Sequence, residues 1–248
     1  MLVIYLTKNK EIALVSDEKN LSENNFSFFY YNLDTKKYYF YNENKWFTAA
    51  STIKVPIAMM YYDKINAGEI TEDTKYTYES GTYEAGDGQT ASKYSVGSKI
   101  PLSFLLEQMI VNSDNTAVNI LSLGLGGRKI YRSQFTKYTD VELPENFCTD
   151  NITSASFGYD IMTYLYNNSE DYEELLGYMK KSSYGEYLKK YITDYEVAHK
   201  YGSYNGYVHD YGIVYGKTTY LVGVFTKNVT DADELIANIS KEVLEATI

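Results

Sequence analysis

The sequence has 248 residues, a net charge of −10 at pH 7, two histidines and one cysteine. The acidic balance disfavours nucleic-acid binding, the scarcity of histidine disfavours a histidine-rich metal site, and a lone Cys148 excludes an internal disulfide. A chain of this length forms one domain or two small ones around a substantial core.

The N-terminal quarter predicts a pair of strands followed by a helix. Residues 1–6 are apolar but too few to span a membrane, and they lack the layout of a signal peptide. Residues 26–33 and 36–41 flank a turn, in a pattern typical of two antiparallel strands. Residues 51–66 form an apolar run that predicts a helix, with Pro56 near its start and Gly68 after its end.

The middle of the chain predicts helices, and the C-terminal part predicts strands. Residues 75–97 contain Gly81, Gly86 and Gly88 and are expected to be irregular. Helices are predicted at 102–112, 116–123, 128–137, 154–167 and 171–181, and strands at 196–202, 206–214 and 219–226. Residues 231–245 have apolar residues at helical spacing and predict a last helix.

This order of elements predicts an α+β fold of the α/β sandwich type. Strands at both ends imply a five-stranded antiparallel sheet flanked by helices, with an inserted all-helical subdomain. We expect residues 1–248 to form a single domain, with a sheet part at about 1–50 and 190–248 and a helical part at about 51–189. The site is expected in the crevice between the two parts.

Three short strings of polar residues carry the chemical information. Each combines groups used in acyl transfer: a hydroxyl near an amine, a hydroxyl beside a carboxylate and an amide, and a second amine beside a glycine. They are Ser51-Thr52-Ile53-Lys54, Ser113-Asp114-Asn115 and Lys200-Tyr201-Gly202. Together they favour a serine nucleophile with lysine as its base.

Each string also has an ordinary explanation when it is taken alone. Ser51 would serve as a helix cap beside a solvated lysine, and Ser-Asp-Asn suits any turn between helices. A second Ser-x-x-Lys match, Ser16 to Lys19, lies in a charged stretch that indicates a loop, and we interpret it as coincidence. The presence of all three strings in one order favours the catalytic interpretation.

The order and spacing of the strings resemble the serine β-lactamase and D,D-peptidase superfamily, specifically its class A β-lactamase-like branch. The resemblance runs from about residue 26 to the C-terminus and is strongest over residues 94–117. It implies the β-lactamase/transpeptidase-like fold, with no cofactor and no metal. The implied partner is a small-molecule or peptide substrate, a β-lactam or a peptidoglycan stem peptide. We expect a monomer that does not bind nucleic acid.

The resemblance also implies roles for the matching residues. Ser51 is the nucleophile, Lys54 is its base, and Ser113 relays a proton toward the leaving nitrogen. Asn115 holds the acyl amide of the substrate and steadies Lys54. Lys200 attracts a substrate carboxylate and lowers the proton affinity of the neighbouring amine.

Gly202 lets the substrate approach the strand closely, and the backbone N–H groups of Ser51 and Ser203 form the oxyanion hole. A pair of such donors contributes roughly 3–4 kcal/mol per donor to lowering the acylation barrier.

Two departures from the family pattern affect these expectations. Tyr201 stands where the family usually has a threonine whose hydroxyl helps to bind the substrate carboxylate, so that part of the site is rearranged and Ser203 could supply a hydroxyl. Class A enzymes use a loop glutamate for deacylation, but residues 138–148 form a short segment here. Glu142 and Glu145 are its candidates for that base, but neither aligns well with the family's loop, and a solvated loop carboxylate is the simpler interpretation of each.

The sequence therefore predicts a β-lactamase-like serine hydrolase with an acyl-enzyme on Ser51 and weak turnover of β-lactams. The alternatives are a D,D-carboxypeptidase or penicillin-binding protein and, from another class, a non-catalytic binding or sensor domain. Since the family's substrates lie outside the cytoplasm, we expect an extracellular or cell-surface protein with targeting residues upstream of this sequence. The excess of lysine over arginine indicates an AT-rich genome, as in many Gram-positive bacteria.

Overall fold

The computed structural model describes residues 2–6, 12–16, 21–86, 88–182 and 184–247. In chain order its strands are β1 (Leu2–Leu6), β2 (Ile12–Ser16), β3 (Phe26–Asn32), β4 (Tyr38–Tyr41), β5 (Phe47–Thr48), β6 (Lys75–Thr77), β7 (Lys99–Pro101), β8 (Ile152–Thr153), β9 (Glu196–Tyr204), β10 (Tyr207–Tyr215) and β11 (Thr219–Lys227). Its helices are α1 (Lys54–Asn66), α2 (Thr90–Lys93), α3 (Leu102–Val111), α4 (Asn115–Gly124), α5 (Arg128–Ser133), α6 (Ala155–Asn167), α7 (Glu173–Lys181) and α8 (Ala232–Thr247).

The main sheet has five antiparallel strands in the order β4-β3-β11-β10-β9. Pairing of Tyr220 with Asn32 places the first long strand beside the last one. Strand β9 lies at one edge of this sheet, and it carries the Lys200-Tyr201-Gly202 string. The predicted α+β fold with a five-stranded antiparallel sheet is confirmed.

Each face of the sheet is covered by helices because side chains alternate between the two faces of a strand. Val214 and Val222 pack with Leu235 and Ile239 of α8 on one face. The other face packs against the helical part, and Gly158 lets α6 approach this face closely, since a Cβ there would lie 2.9 Å from the Phe225 ring. The packing of the helical part against this face of the sheet fixes the crevice between them.

The structure contains short elements that the sequence pattern did not predict. Strands β1 and β2 pair with each other, β5 pairs with β8, and β6 pairs with β7. Residues 75–97, expected to be irregular, include β6 and the short α2. Ladders of two or three residues are set by their tertiary neighbours and leave little trace in local composition.

Three predicted helices begin or end in a 3-10 turn, and one of them, predicted at 171–181, opens with the turn Ser169–Tyr172 before α7. The helix predicted at 51–66 opens with a 3-10 turn (Ala50–Ile53) before α1, and the one predicted at 128–137 ends in a second 3-10 turn (Gln134–Lys137). In the predicted loop that contains Ser16 and Lys19, Ser16 ends β2, and residues 17–20 lie outside the described residues. None of the described helices has the length and apolar character needed to cross a membrane.

The buried side chain of Arg132 holds the segment between α5 and β8 in place. Its buried guanidinium donates to the carbonyl oxygens of Phe147 at 2.6 Å and Ile152 at 2.9 Å, and it lies 4.2 Å from the centre of the Phe147 ring. Burial lowers the pKa of Arg132 to about 10, so the group stays charged at neutral pH. This side chain therefore holds the loop that passes beside the Ser51 turn.

Replacement of Arg132 by methionine should lower the free energy of unfolding by about 2–4 kcal/mol, because buried carbonyl groups lose their donor. Urea unfolding followed by circular dichroism measures the change. Arg128→Met is the matched control, since Arg128 is exposed and donates one long bond to Thr149 O. Equal losses in the two variants would contradict this account of the loop.

Candidate active site

A cleft of about 830 Å³ brings together residues from the helical part and from the sheet. Five of the predicted site residues line it: Ser51, Ser113, Asn115, Tyr201 and Ser203. The first three come from the helical part, and the last two come from edge strand β9. The structure thus places the three sequence strings around one opening.

Ser51 lies in the 3-10 turn that precedes α1, and two hydrogen bonds to Asn151 hold this turn. Ala50 has a φ of +48°, a left-handed conformation that L-residues rarely adopt. The Asn151 amide donates to Ala50 O at 3.0 Å, and Ala49 N donates to Asn151 O at 2.8 Å. The strained turn is therefore stabilised by contacts from the Arg132-bound loop.

Gly202 allows β9 to approach the Ser51 turn. A Cβ at this position would lie 2.7 Å from Ser51 N and 3.0 Å from Thr52 N. The neighbouring strand β10 reinforces the approach, because the Tyr211 hydroxyl donates to Thr52 O at 2.8 Å. The backbone N–H of Ser51 consequently lies against the strand that carries Ser203, as the predicted oxyanion hole requires.

His209 of β10 holds the strand that leads into this turn. Its Nδ1 accepts from Thr226 N at 3.0 Å, so its Nε2 carries the proton and donates to Thr48 O at 2.7 Å. Burial lowers the pKa of His209 to about 4, which keeps the ring neutral in this hydrogen-bonding state. His209 is a structural link rather than a base for the serine.

The Lys54 amine is the centre of the site. Its Nζ lies 3.0 Å from Ser51 Oγ, 2.6 Å from Ser113 O, 3.2 Å from Ser113 Oγ and 2.7 Å from Asn115 Oδ1. Ser113 has a φ of +54°, and this turn directs both its carbonyl and its hydroxyl oxygen to the amine. One side chain thus joins the nucleophile to the Ser-Asp-Asn string.

Lys54 has the protonation behaviour expected of a base. Burial lowers its pKa to about 7, while the negative charges of Asp114 and Glu84 oppose this effect. A neutral amine has two N–H groups and one lone pair. The two N–H groups match the acceptors Ser113 O and Asn115 Oδ1, which leaves the lone pair for the Ser51 hydroxyl.

Lys200 is placed differently from the expected carboxylate-binding amine. It is fully buried, its Nζ donates to Tyr201 O at 3.0 Å, and it lies 3.8 Å from the centre of the Tyr201 ring. Burial, together with the charge of Lys54, lowers the pKa of Lys200, and Asp210 opposes the shift. Lys200 therefore lies behind the cleft lining, covered by the residue that follows it.

Tyr201 belongs to a stack of tyrosines that extends the cleft beyond Ser203. Its ring lies 5.1 Å from the Tyr187 ring at an interplanar angle of 14°, and 5.5 Å from the Tyr184 ring. Tyr184 and Tyr187 line the cleft, but the sequence did not predict a role for them. With 29 tyrosines spread along the chain, composition alone could not single them out.

The two predicted deacylation carboxylates, Glu142 and Glu145, are exposed on the loop and are not among the residues that line the cleft. The residue of this loop that reaches the Ser51 turn is Asn151, which carries an amide rather than a carboxylate. Sequence reasoning did not predict Asn151, because its position depends on the fold of the whole loop.

Two further carboxylates surround the amine from the side of α4. Asp114 caps α4 by accepting from Ala117 N at 3.0 Å, and it also accepts from Thr90 N at 2.8 Å. Glu84, which lies in the glycine-containing stretch predicted to be irregular, accepts from the Asn115 amide at 2.9 Å. Both groups add negative charge near Lys54 without contacting Ser51.

The fold and this site define a serine hydrolase of the β-lactamase and D,D-peptidase class. The model of the β-lactamase enzyme family matches residues 8–247. The chain belongs to this family and is a serine hydrolase of the β-lactamase type.

Solved structures agree with this assignment. PBP-A is 26% identical with a TM-score of 0.79, over 90% of this chain and 89% of that one. A variant of PBP-A has been solved as an acyl-enzyme complex with penicillin G. A β-lactamase from Sphaerobacter thermophilus (22% identity, TM-score 0.78, 90% of each chain) and the TLA-1 extended-spectrum β-lactamase (21%, 0.80, 93% of this chain and 94% of that one) share the fold.

Gly202→Ala should reduce the rate constant for acylation by benzylpenicillin about 100-fold, because a displacement of the strand by even 1 Å misplaces the reacting groups. Quenched-flow mass spectrometry measures the rate. Gly81→Ala is the matched control, since nothing lies within 4 Å of a Cβ there. Acylation of Gly202→Ala at the wild-type rate would show that the close approach is not needed.

Acylation should also decline as the pH falls through about 7, the pKa of Lys54, because only the neutral amine accepts the serine proton. The rate of adduct formation between pH 5 and 9 measures this. Lys54→Arg should acylate slower by at least about 1000-fold, since a guanidinium keeps its proton throughout this range. A pH-independent rate in the wild type would exclude Lys54 as the base.

Proposed function

We propose that the chain forms an acyl-enzyme on Ser51 with β-lactams or with related peptides and releases the acyl group slowly. The observation that carries the proposal is the arrangement at Lys54, whose amine lies 3.0 Å from Ser51 Oγ while Ser113 O and Asn115 Oδ1 take its N–H groups. This arrangement supports a lysine that accepts the proton of the serine.

Acylation follows from these contacts. As the bond between Ser51 Oγ and the carbonyl carbon forms, the hydroxyl proton passes to Lys54 Nζ. The carbon–nitrogen bond then breaks, and the leaving nitrogen takes a proton through the Ser113 hydroxyl, which lies 3.2 Å from Lys54 Nζ. The backbone N–H groups of Ser51 and Ser203 stabilise the oxyanion.

Slow release of the acyl group is supported by the placement of the carboxylates. Hydrolysis requires a base that holds a water against the acyl carbon. Glu142 and Glu145 are exposed outside the cleft lining, and the loop presents Asn151 to the Ser51 turn. PBP-A, which resembles this chain along nine-tenths of its length, gives an acyl-enzyme with penicillin G as a variant, in line with this proposal.

A peptide is the second candidate substrate, and the shape of the cleft favours it. The cleft continues from Ser51 past Ser203 to Tyr184 and Tyr187, along edge strand β9. An extended peptide can pair with the backbone of an edge strand and place its side chains against such rings. A D,D-peptidase acting on peptidoglycan stem peptides at the cell surface would use the cleft in this way.

A purely binding or sensing role is less well supported. Two buried amines, Lys54 and Lys200, are costly to desolvate, and their pKa values are lowered as a result. A binding domain has no need for such a pair, whereas an acylating enzyme uses a neutral amine as its base.

Incubation with benzylpenicillin should give one adduct that persists for many minutes in intact-protein mass spectrometry. Ser51→Ala should give no adduct, because the nucleophilic oxygen is absent, whereas Ser80→Ala, an exposed serine on another 3-10 turn, should react like the wild type. Glu142→Gln and Glu145→Gln should leave the release rate unchanged. Rapid hydrolysis in the wild type that is lost in either glutamine variant would overturn the proposal of slow release.

A further inference from the structure

Glu84 binds two amides of α4 with its two carboxylate oxygens. Its Oε1 accepts from Asn115 Nδ2 at 2.9 Å, and its Oε2 accepts from Asn119 Nδ2 at 3.0 Å. Its backbone is also attached to the helix, because the Thr116 hydroxyl lies 3.1 Å from Glu84 N and donates to Glu84 O at 3.0 Å. The loop segment that contains Glu84 is therefore docked onto the N-terminal part of α4.

This docking determines which way the Asn115 amide points. A carboxylate only accepts hydrogen bonds, so the NH₂ end of Asn115 must face Glu84 and the oxygen must face Lys54. In the reversed orientation, the NH₂ group would oppose the N–H groups of Lys54 and the oxygen would oppose a carboxylate. Both contacts would be repulsive, and Glu84 thus selects the orientation that Lys54 needs.

The Asn119 bond keeps Glu84 in place for this task. The Asn119 NH₂ group also donates to Thr82 O at 3.3 Å, two residues before Glu84 in the loop. The carboxylate is consequently held between two amides, although its surface is exposed to solvent. A group held at both oxygens fixes its partners better than a mobile surface carboxylate does.

We propose that Glu84 is a positioning residue for acylation, a role that rests on the acyl-transfer function proposed above. Glu84 fixes the orientation of Asn115, and Asn115 in turn holds the Lys54 amine with its lone pair toward Ser51.

The electrostatic environment of Lys54 provides a second readout of this role. Burial lowers the Lys54 pKa to about 7, and the charges of Asp114 and Glu84 act to raise it. The neighbouring basic group is the buried amine of Lys200, whose own pKa is lowered by burial and by the charge of Lys54. Loss of the Glu84 charge alone should therefore move the Lys54 pKa further down. Because this electrostatic effect does not depend on the orientation of Asn115, the Asn115 side-chain amide is the readout that separates a positioning role from simple support of the loop.

Glu84→Gln tests the proposal, because glutamine keeps the size but offers one acceptor for two amides. Acylation by benzylpenicillin at pH 8 should fall about 10-fold, the effect of one lost charge-assisted bond. The acid side of the pH profile should shift to lower pH. Glu79→Gln removes an exposed charge from the same connection and should change neither value. Glu84→Asp, which keeps the charge, should leave the acid side of the profile near its wild-type position.

Nuclear magnetic resonance makes the test independent of acylation. Titration of the Lys54 amine should show a lower midpoint in Glu84→Gln than in the wild type, and the Asn115 side-chain amide resonances should shift. The proposal would be overturned if Glu84→Gln showed the same acylation rate, the same pH profile and the same resonances as the wild type. A slower rate accompanied by an unchanged Lys54 midpoint and unchanged Asn115 resonances would overturn it too. A wild type that forms no adduct would refute the acyl-transfer function, while the resonances still decide the role of Glu84.

Discussion

The buried amine of Lys54 is the interaction on which the site depends. Burial removes the water that would stabilise its charge, and two acceptors, Ser113 O and Asn115 Oδ1, fix the directions of its N–H groups. The remaining direction points to Ser51. A hydroxyl that is a weak nucleophile thus gains a base with a defined geometry, without the histidine that other serine hydrolases use.

The surrounding structure can be understood as support for that geometry. The sheet brings Gly202 against the Ser51 turn, Asn151 bonds to the Ala50 carbonyl of that turn, and neutral His209 holds the strand that enters it. These contacts use backbone groups and uncharged side chains, so they are insensitive to pH over the range in which Lys54 titrates. A change of pH near 7 therefore alters the protonation of Lys54 but not the contacts that hold the Ser51 turn.

The sequence indicates the parts of the site that lie within its three strings. Ser51 and Lys54 are separated by one helical turn, so their contact follows from helix geometry, and the sharp turn at Ser113 follows from residue types that favour turns. The five main strands were predictable from length and pattern, whereas β5, β6, β7 and β8 were not. Their two- and three-residue ladders exist because distant segments meet there.

Residues whose contacts join distant parts of the chain could not be predicted from the sequence alone. Glu84 and Asn151 look like ordinary loop residues until the fold places them beside Asn115 and Ala50. The position of Lys200 depends on Tyr201, whose ring is held by Tyr187 from another segment. The string Lys200-Tyr201-Gly202 predicted which amine would be close to the site, but not that an aromatic ring would cover it.

The order of strands in the sheet has a consequence for how the protein reaches its native state. Strand β3 leaves the ribosome well before its inner neighbour β11, which is the last strand of the described residues. Loop-closure entropy makes such a distant pairing slow, and until it forms, β3 exposes an unpaired edge and the ring of Phe29. The helical part is therefore synthesised before three of the five strands that complete the sheet, β9, β10 and β11. The period before β11 pairs with β3 is therefore the stage at which the chain is most exposed to aggregation.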